Sequence, residues 1–119
     1  MLGLGDLEAA IMDVLWTLDE PAKVRTVLDR LDTGKRLAYT TVMTVMDHLY
    51  RKGWVDRELR GKAYVYQPAR SREEAATQAL REVLVASGDP AAALLRFAAT
   101  ASDEEAAVLR TALHKKRRP

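Results

Sequence analysis

Between Tyr39 and Gly53 the chain spaces threonine, histidine, aspartate and arginine at helical intervals. Turned by the helical period, Thr40, Thr44, Asp47 and Arg51 fall on one side, with Thr41 and His48 on one flank and Met43 on the other. Val42, Val45, Met46 and Leu49 fall opposite and need an apolar partner. Hydroxyl, imidazole and guanidinium groups on one face suit the edges of base pairs in a DNA major groove, where threonine can also touch a thymine methyl. A surface helix whose polar face is simply solvated has the same pattern, and for a stretch this short it is the commoner case. The neighbouring residues decide between the two.

The elements that would position this helix are legible on both sides of it. Leu4, Leu7, Ile11, Val14, Leu15 and Leu18 recur at three- and four-residue steps, which predicts a helix from about Asp6 to Leu18, with Trp16 in the core or at its edge. Asp19-Glu20-Pro21 breaks it. Val24, Val27, Leu28 and Leu31 predict a second helix over 22–31, closed by Asp32-Thr33-Gly34. Lys35-Arg36-Leu37-Ala38 then leads into the third, which Gly53 stops. After Gly53 the pattern turns to β-branched and aromatic residues: Trp54 to Leu59, and Ala63 to Gln67 ahead of Pro68. With Arg60-Gly61-Lys62 between them, these runs predict a β-hairpin with a glycine turn and a basic tip. Three helices and a hairpin form the winged helix-turn-helix layout, in which the third helix reads and the hairpin lies along the DNA backbone or minor groove. Arg57, Arg60, Gly61 and Lys62 are then the wing residues; an ordinary charged turn is the alternative.

Charge distribution favours the first reading. Residues 1–34 carry three basic residues against seven acids, a net of −4, and 73–119 are balanced. Residues 35–72 carry nine basic residues against three acids, a net of +6 centred on the third helix, the footprint expected for phosphate. The 119 residues suffice for one domain, or for one with an appendage, and 48% apolar with 30% charged residues describes a globular chain. No apolar run approaches the roughly 18 residues of a membrane span. No basic segment precedes an apolar one at the start, so membrane insertion and secretion are not expected. The absence of cysteine rules out disulfides, thiolate metal sites and cysteine catalysis, and fits a cytoplasmic protein.

From Ser71 the character changes. Ser71-Arg72-Glu73-Glu74 and Ser102-Asp103-Glu104-Glu105 are capping boxes that open helices, and Ser87-Gly88-Asp89-Pro90 separates a third between them. Their stripes hold Leu80, Val83 and Leu84, then Leu94, Leu95 and Phe97, then Leu109 and Leu113, before a basic tail from His114 that is expected to fray. These alanine-rich faces cannot build a core of their own. They either fold back on the first domain or meet a second copy. A two-fold dimer is preferred, because one reading helix spans too few base pairs and a dimer supplies two half-sites.

No catalytic or cofactor constellation accompanies this layout. His48 and His114 lack a neighbouring cluster, and no phosphate-binding glycine loop, nucleophile elbow or zinc-helix motif occurs. The acid pairs Glu73-Glu74 and Glu104-Glu105 sit in first helical turns, where they complement the helix dipole. Neither enzyme nor metal nor cofactor is expected.

Four segments are familiar: Gly5-Asp6-Leu7-Glu8, Met12-Asp13-Val14-Leu15-Trp16, Ala38 to Met46, and Leu49-Tyr50-Arg51-Lys52-Gly53. Together they resemble the penicillinase-repressor (BlaI/MecI) family of bacterial transcription regulators, with spacing held from about residue 4 to residue 113. The resemblance implies a mainly α fold with a small β-hairpin: a winged-helix DNA-binding domain over 1–70 and a helical dimerisation region over 71–119. It implies a homodimeric repressor on a palindromic double-stranded operator with TACA/TGTA-like half-sites. Thr40, Thr41, Met43 and Thr44 align with the positions that face bases or backbone, and Arg60, Gly61 and Lys62 with the wing tip. Met43 stands where some relatives have arginine; it can touch a thymine methyl but cannot make the bidentate guanine contact. In better-known members a membrane sensor-protease detects a β-lactam and triggers a cut between asparagine and phenylalanine. The matching pair here is Arg96-Phe97, with the phenylalanine kept and the asparagine absent. Copper-responsive relatives carry a C-terminal cysteine cluster that this chain lacks. Outside this reading stand a winged-helix adaptor for an acidic protein partner and a non-specific architectural DNA binder.

Overall fold

A computed structural model of the chain describes residues 3–33 and 36–117. Met1, Leu2, the expected turn residues Gly34 and Lys35, and the tail residues Arg118 and Pro119 lie outside the described residues. The chain divides into two compact units, 1–79 and 80–119.

The first unit runs α1 (Asp6–Thr17), β1 (Ala22–Lys23), α2 (Val24–Arg30), α3 (Tyr39–Arg51), β2 (Val55–Arg60) and β3 (Ala63–Pro68), followed by the start of α4 (Arg72–Ala86). Gly5 is the N-cap of α1, and its N–H donates to Glu8 Oε1 at 3.0 Å. Ile11, Met12 and Leu15 of α1, Val27 of α2, Val42, Met46 and Leu49 of α3, and Val55 of β2 are almost completely buried in one cluster. Val45, predicted for the same face of α3, is partly buried and packs against that cluster. Trp16 meets Trp54 edge-on at 6.3 Å between ring centres, and its indole N–H donates to the Arg70 carbonyl at 2.9 Å.

α3 ends in a glycine cap. Gly53 has φ +83°; its N–H donates to the Tyr50 carbonyl at 3.0 Å and that of Trp54 to the Leu49 carbonyl at 2.9 Å. This pair of bonds satisfies the last carbonyls of the helix and turns the chain directly into β2. The hairpin register pairs Val55 with Pro68, Arg57 with Tyr66 and Arg60 with Ala63, leaving Gly61 and Lys62 as a two-residue turn. Gly61 adopts φ +64°, as such turns require.

Three expectations are corrected. Ala22 and Lys23 do not open α2; they form a short antiparallel strand opposite Tyr66 and Val65, so the wing is part of a three-stranded sheet of order β1-β3-β2. Pairing with β3, with Ala22 buried in the core, holds these two residues extended and delays the helix to Val24. The basic tail does not fray at His114: α6 (Asp103–Lys116) holds helical through Lys116, with His114, Lys115 and Lys116 complementing its C-terminal dipole. The first turn of α4 also belongs with the winged unit, since Ala75 is buried and Arg72 both pairs with Asp13 at 2.8 Å and stacks 5.0 Å from the Trp16 ring.

The second unit contains the end of α4, α5 (Pro90–Thr100) and α6. Both expected capping boxes form. Ser71 Oγ accepts from the Glu74 N–H at 3.0 Å and Ser102 Oγ from the Glu105 N–H at 3.1 Å, while each glutamate accepts from the serine N–H. Asp89 caps α5 through the Ala92 N–H at 3.1 Å, with Pro90 in the first helical position. No residue of α5 or α6 is buried. Among the described residues no single helix is long and apolar enough to cross a membrane.

Glu8 joins the start of α1 to the end of α3. Besides the Gly5 N–H it accepts from Lys52 Nζ at 2.8 Å. The Lys52 ammonium first, and the Gly5 N–H second, hold its carboxyl below the ordinary carboxylate value. A lowered acid pKa stabilises the fold above the ordinary value and loses that effect as pH falls through the lowered one. Glu8→Gln should therefore cost about 1 kcal/mol near neutral pH, and the cost should shrink steadily as the pH is taken down through the acid range. Urea unfolding at neutral and acid pH checks this; a loss of equal size at acid pH would refute it.

Candidate nucleic-acid interface

The roll of α3 sets what the site can present. With Val42, Met46 and Leu49 buried, Thr40, Thr41, Met43, Thr44, His48 and Arg51 are all exposed. Threonine hydroxyls in helices often bond back to their own backbone, as Thr17 does to the Asp13 carbonyl at 2.8 Å and Thr77 to that of Glu73 at 2.9 Å. Among the described residues the hydroxyls of Thr40, Thr41 and Thr44 have no such partner. They are open donors and acceptors on an exposed helix face.

Asp47 and Arg57 stand differently. Asp47 is half-buried, and its two oxygens are divided: Oδ2 pairs with Arg51 Nε at 3.0 Å, Oδ1 with Arg57 Nη1 at 2.9 Å. The guanidinium carbon of Arg57 lies 4.0 Å from the Tyr50 ring centre and 4.2 Å from that of Tyr64. Only 22% of the Arg57 side chain is exposed, against 75% for Arg51. Arg57, expected among the wing cations, thus has its charge committed inside the protein, while Arg51 swings on an exposed surface pair that is worth little.

At the wing tip Arg60, Gly61 and Lys62 are exposed. Arg60 reaches Glu58 only at 3.6 Å, and Lys62 forms no ion pair among the described residues. Arg25 was not singled out from sequence. Its guanidinium lies over the ring of Tyr39, the first residue of α3, at 5.1 Å, and with Asp29, Arg36 and Leu37 it lines a shallow groove beside the start of that helix. Its exposed position at the start of α2, directly after buried Val24, was the available signal. Arg25 stands at the start of α3, exposed Arg51 at its end, and exposed Arg60 and Lys62 at the hairpin tip, so basic groups flank the open helix face in sequence on both sides.

Three helices, a three-stranded sheet with a basic two-residue turn and an outward polar face on the third helix define a winged-helix domain. Comparison with known proteins agrees. The Penicillinase repressor family model matches residues 4–115. The chain is 41% identical over 113 residues to the transcriptional regulator BlaI of Mycobacterium tuberculosis, in strain CDC 1551 / Oshkosh and strain ATCC 25618 / H37Rv alike, covering 92% of this chain and 82% of that protein. Among solved structures it is similar to the solution structure of the DNA-binding domain of the repressor BlaI, with a TM-score of 0.52 at 22% identity, over 60% of this chain and 87% of that one. At that identity the likeness is one of fold. The chain belongs to the penicillinase repressor family, whose members are transcriptional regulators and not enzymes.

An open polar face carries no load in the fold. Thr44→Ala should leave thermal stability within about 0.5 kcal/mol of wild type, checked by calorimetry; a loss above about 1.5 kcal/mol would mean that Thr44 is packed.

Proposed function

We propose that this protein is a homodimeric transcriptional repressor that binds a palindromic operator. In this reading α3 enters the major groove with Thr40, Thr41, Met43, Thr44 and His48 towards base edges. Arg51, Arg60 and Lys62 hold phosphates, with Gly61 letting the tip approach the backbone closely. The observation that carries the reading is the row of unpartnered threonine hydroxyls on a helix whose other face is locked into the core. Such groups discriminate between bases, and the flanking cations supply most of the affinity and its salt dependence.

The dimer rests on the second unit. Leu80, Val83, Leu94, Leu95, Phe97, Leu109 and Leu113 are between 41% and 73% exposed, with Val85 and Val108 beside them, and Leu84 is half-buried. An apolar surface of that extent on thin helices calls for a partner, and a second copy supplies the same stripes by symmetry. Release from the operator is assigned to an inducing signal, with a membrane sensor-protease as its proposed source. A cut at Arg96-Phe97 would need α5 to unwind locally, since the bond lies inside that helix. Recovery of uncut protein from β-lactam-treated cells would remove that route and leave another signal.

A mobility-shift titration against the palindrome in its own promoter and a scrambled duplex tests the reading. Thr44→Ala should weaken operator binding by roughly tenfold while sparing random DNA. Lys62→Ala should weaken both and reduce the log–log salt slope by about one. Equal affinity of wild type for both duplexes would refute operator recognition. In a separate measurement, sedimentation should show a wild-type dimer, and Phe97→Asp should weaken its association by at least about tenfold. A monomeric wild type would refute the dimer.

A further inference from the structure

Arg57 joins three elements through one side chain. It leaves β2, its partners Asp47 and Tyr50 lie one turn apart on α3, and Tyr64 lies on β3. One guanidinium thus bridges the reading helix and both strands of the hairpin. Nearer the base, Val55 and Tyr66 are buried and hold the sheet to the core. Beyond the Arg57–Tyr66 rung, Val65 is still buried and paired with Lys23 of β1 and Ala63 is half-buried, while Glu58, Leu59, Arg60, Gly61, Lys62 and Tyr64 are exposed. Arg57 therefore ties the outer hairpin to α3, as the Val65 pairing with Lys23 ties it to β1. Only a flat cation fits the grip, because arginine can stack on two rings with its faces and still direct an N–H in plane at a carboxylate, whereas an ammonium cannot. The same contact, with Arg51 on the other oxygen, neutralises Asp47, the one acid on the reading helix, which would otherwise repel phosphate.

We propose that Arg57 is a positioning residue: gripped between Tyr50 and Tyr64 and paired with Asp47, it fixes the direction of the wing against α3 and so sets discrimination between operator and other duplexes, without itself holding a phosphate. The DNA consequence rests on the function proposed above; the grip can be measured without DNA.

Arg57→Lys, Arg57→Ala and Tyr64→Leu are made in the 119-residue chain and compared with wild type and Lys62→Ala. In the DNA-free protein, amide order parameters and residual dipolar couplings report the tip, residues 58–63, against α3. All three variants, the charge-preserving lysine included, loosen or redirect the tip while α3 stays ordered. On DNA, the ratio of operator to scrambled-duplex affinity falls by about tenfold in all three. Their salt slope stays at the wild-type value while that of Lys62→Ala drops by about one. Hydroxyl-radical protection by the wing fades while protection under α3 persists. An unmoved tip in Arg57→Lys and Tyr64→Leu overturns the proposal. So does a salt slope lowered by about one in Arg57→Ala together with wild-type binding by Arg57→Lys, the signature of a phosphate ligand. If the Arg57 variants do not fold, Tyr64→Leu, which keeps the guanidinium and alters an exposed ring, decides alone. A wild type with no preference for the palindrome removes the DNA reading, and the tip measurement still decides the grip.

Discussion

Everything the winged unit can present follows from the burial of Val42, Met46 and Leu49. A helix has one rotation about its axis to settle, and these three side chains settle it. Each fully buried aliphatic group is worth roughly 1.5–3 kcal/mol, so the set is comparable with the whole stability of a small domain. Rolling α3 by one residue would withdraw all three from the core and drive Met43 and Asp47 towards it. The threonine row is outward because the alternative is far more costly. The Gly53 cap completes the constraint: by turning the chain sharply into Trp54, it seats one tryptophan against the other and starts β2 at a defined distance from the helix.

Periodicity alone makes most of this visible in the sequence. The α3 stripe, the serine–glutamate boxes at Ser71 and Ser102, the stop at Asp89-Pro90 and the Gly61 turn are local devices. Their residues interact with neighbours three or four positions away, and a sequence displays such spacings directly. What stayed hidden depends on distant pairing. β1 has two residues, too few to show an alternating period, and it exists because Tyr66 and Val65 lie opposite it. Arg57 looked like one more wing cation; its partners Asp47 and Tyr64 are ten and seven positions away, on different elements, and only the folded register brings them together. Arg25 is hidden in the sequence for a similar reason, since its ring partner opens the next helix. Ala75 gave no hint of belonging to the first unit, because one small residue in an alanine-rich helix carries no distinctive signal.

The two units solve the problem of small size differently. In the first, helices and sheet share one cluster of buried side chains. In the second, order comes from the ends of the helices: hydroxyl and carboxylate caps at Ser102 and Asp89 satisfy the first N–H groups and fix where α6 and α5 begin. Caps define helices without burying anything, which leaves the apolar faces available. Helices already shaped in this way lose less conformational freedom on meeting a partner than an unstructured segment would.

The order β1-β3-β2 leaves β2 on the outside of the sheet. An outer strand offers unpaired backbone groups, and a second molecule could add to it and keep adding. β2 answers with alternating ionic side chains, Asp56, Glu58 and Arg60, all exposed. Another β2 approaching it would have to strip water from these charged groups. Edge-to-edge growth into fibres is thereby discouraged, so a protein that displays so much apolar surface elsewhere can be concentrated in a cell without its sheet becoming a template for aggregation.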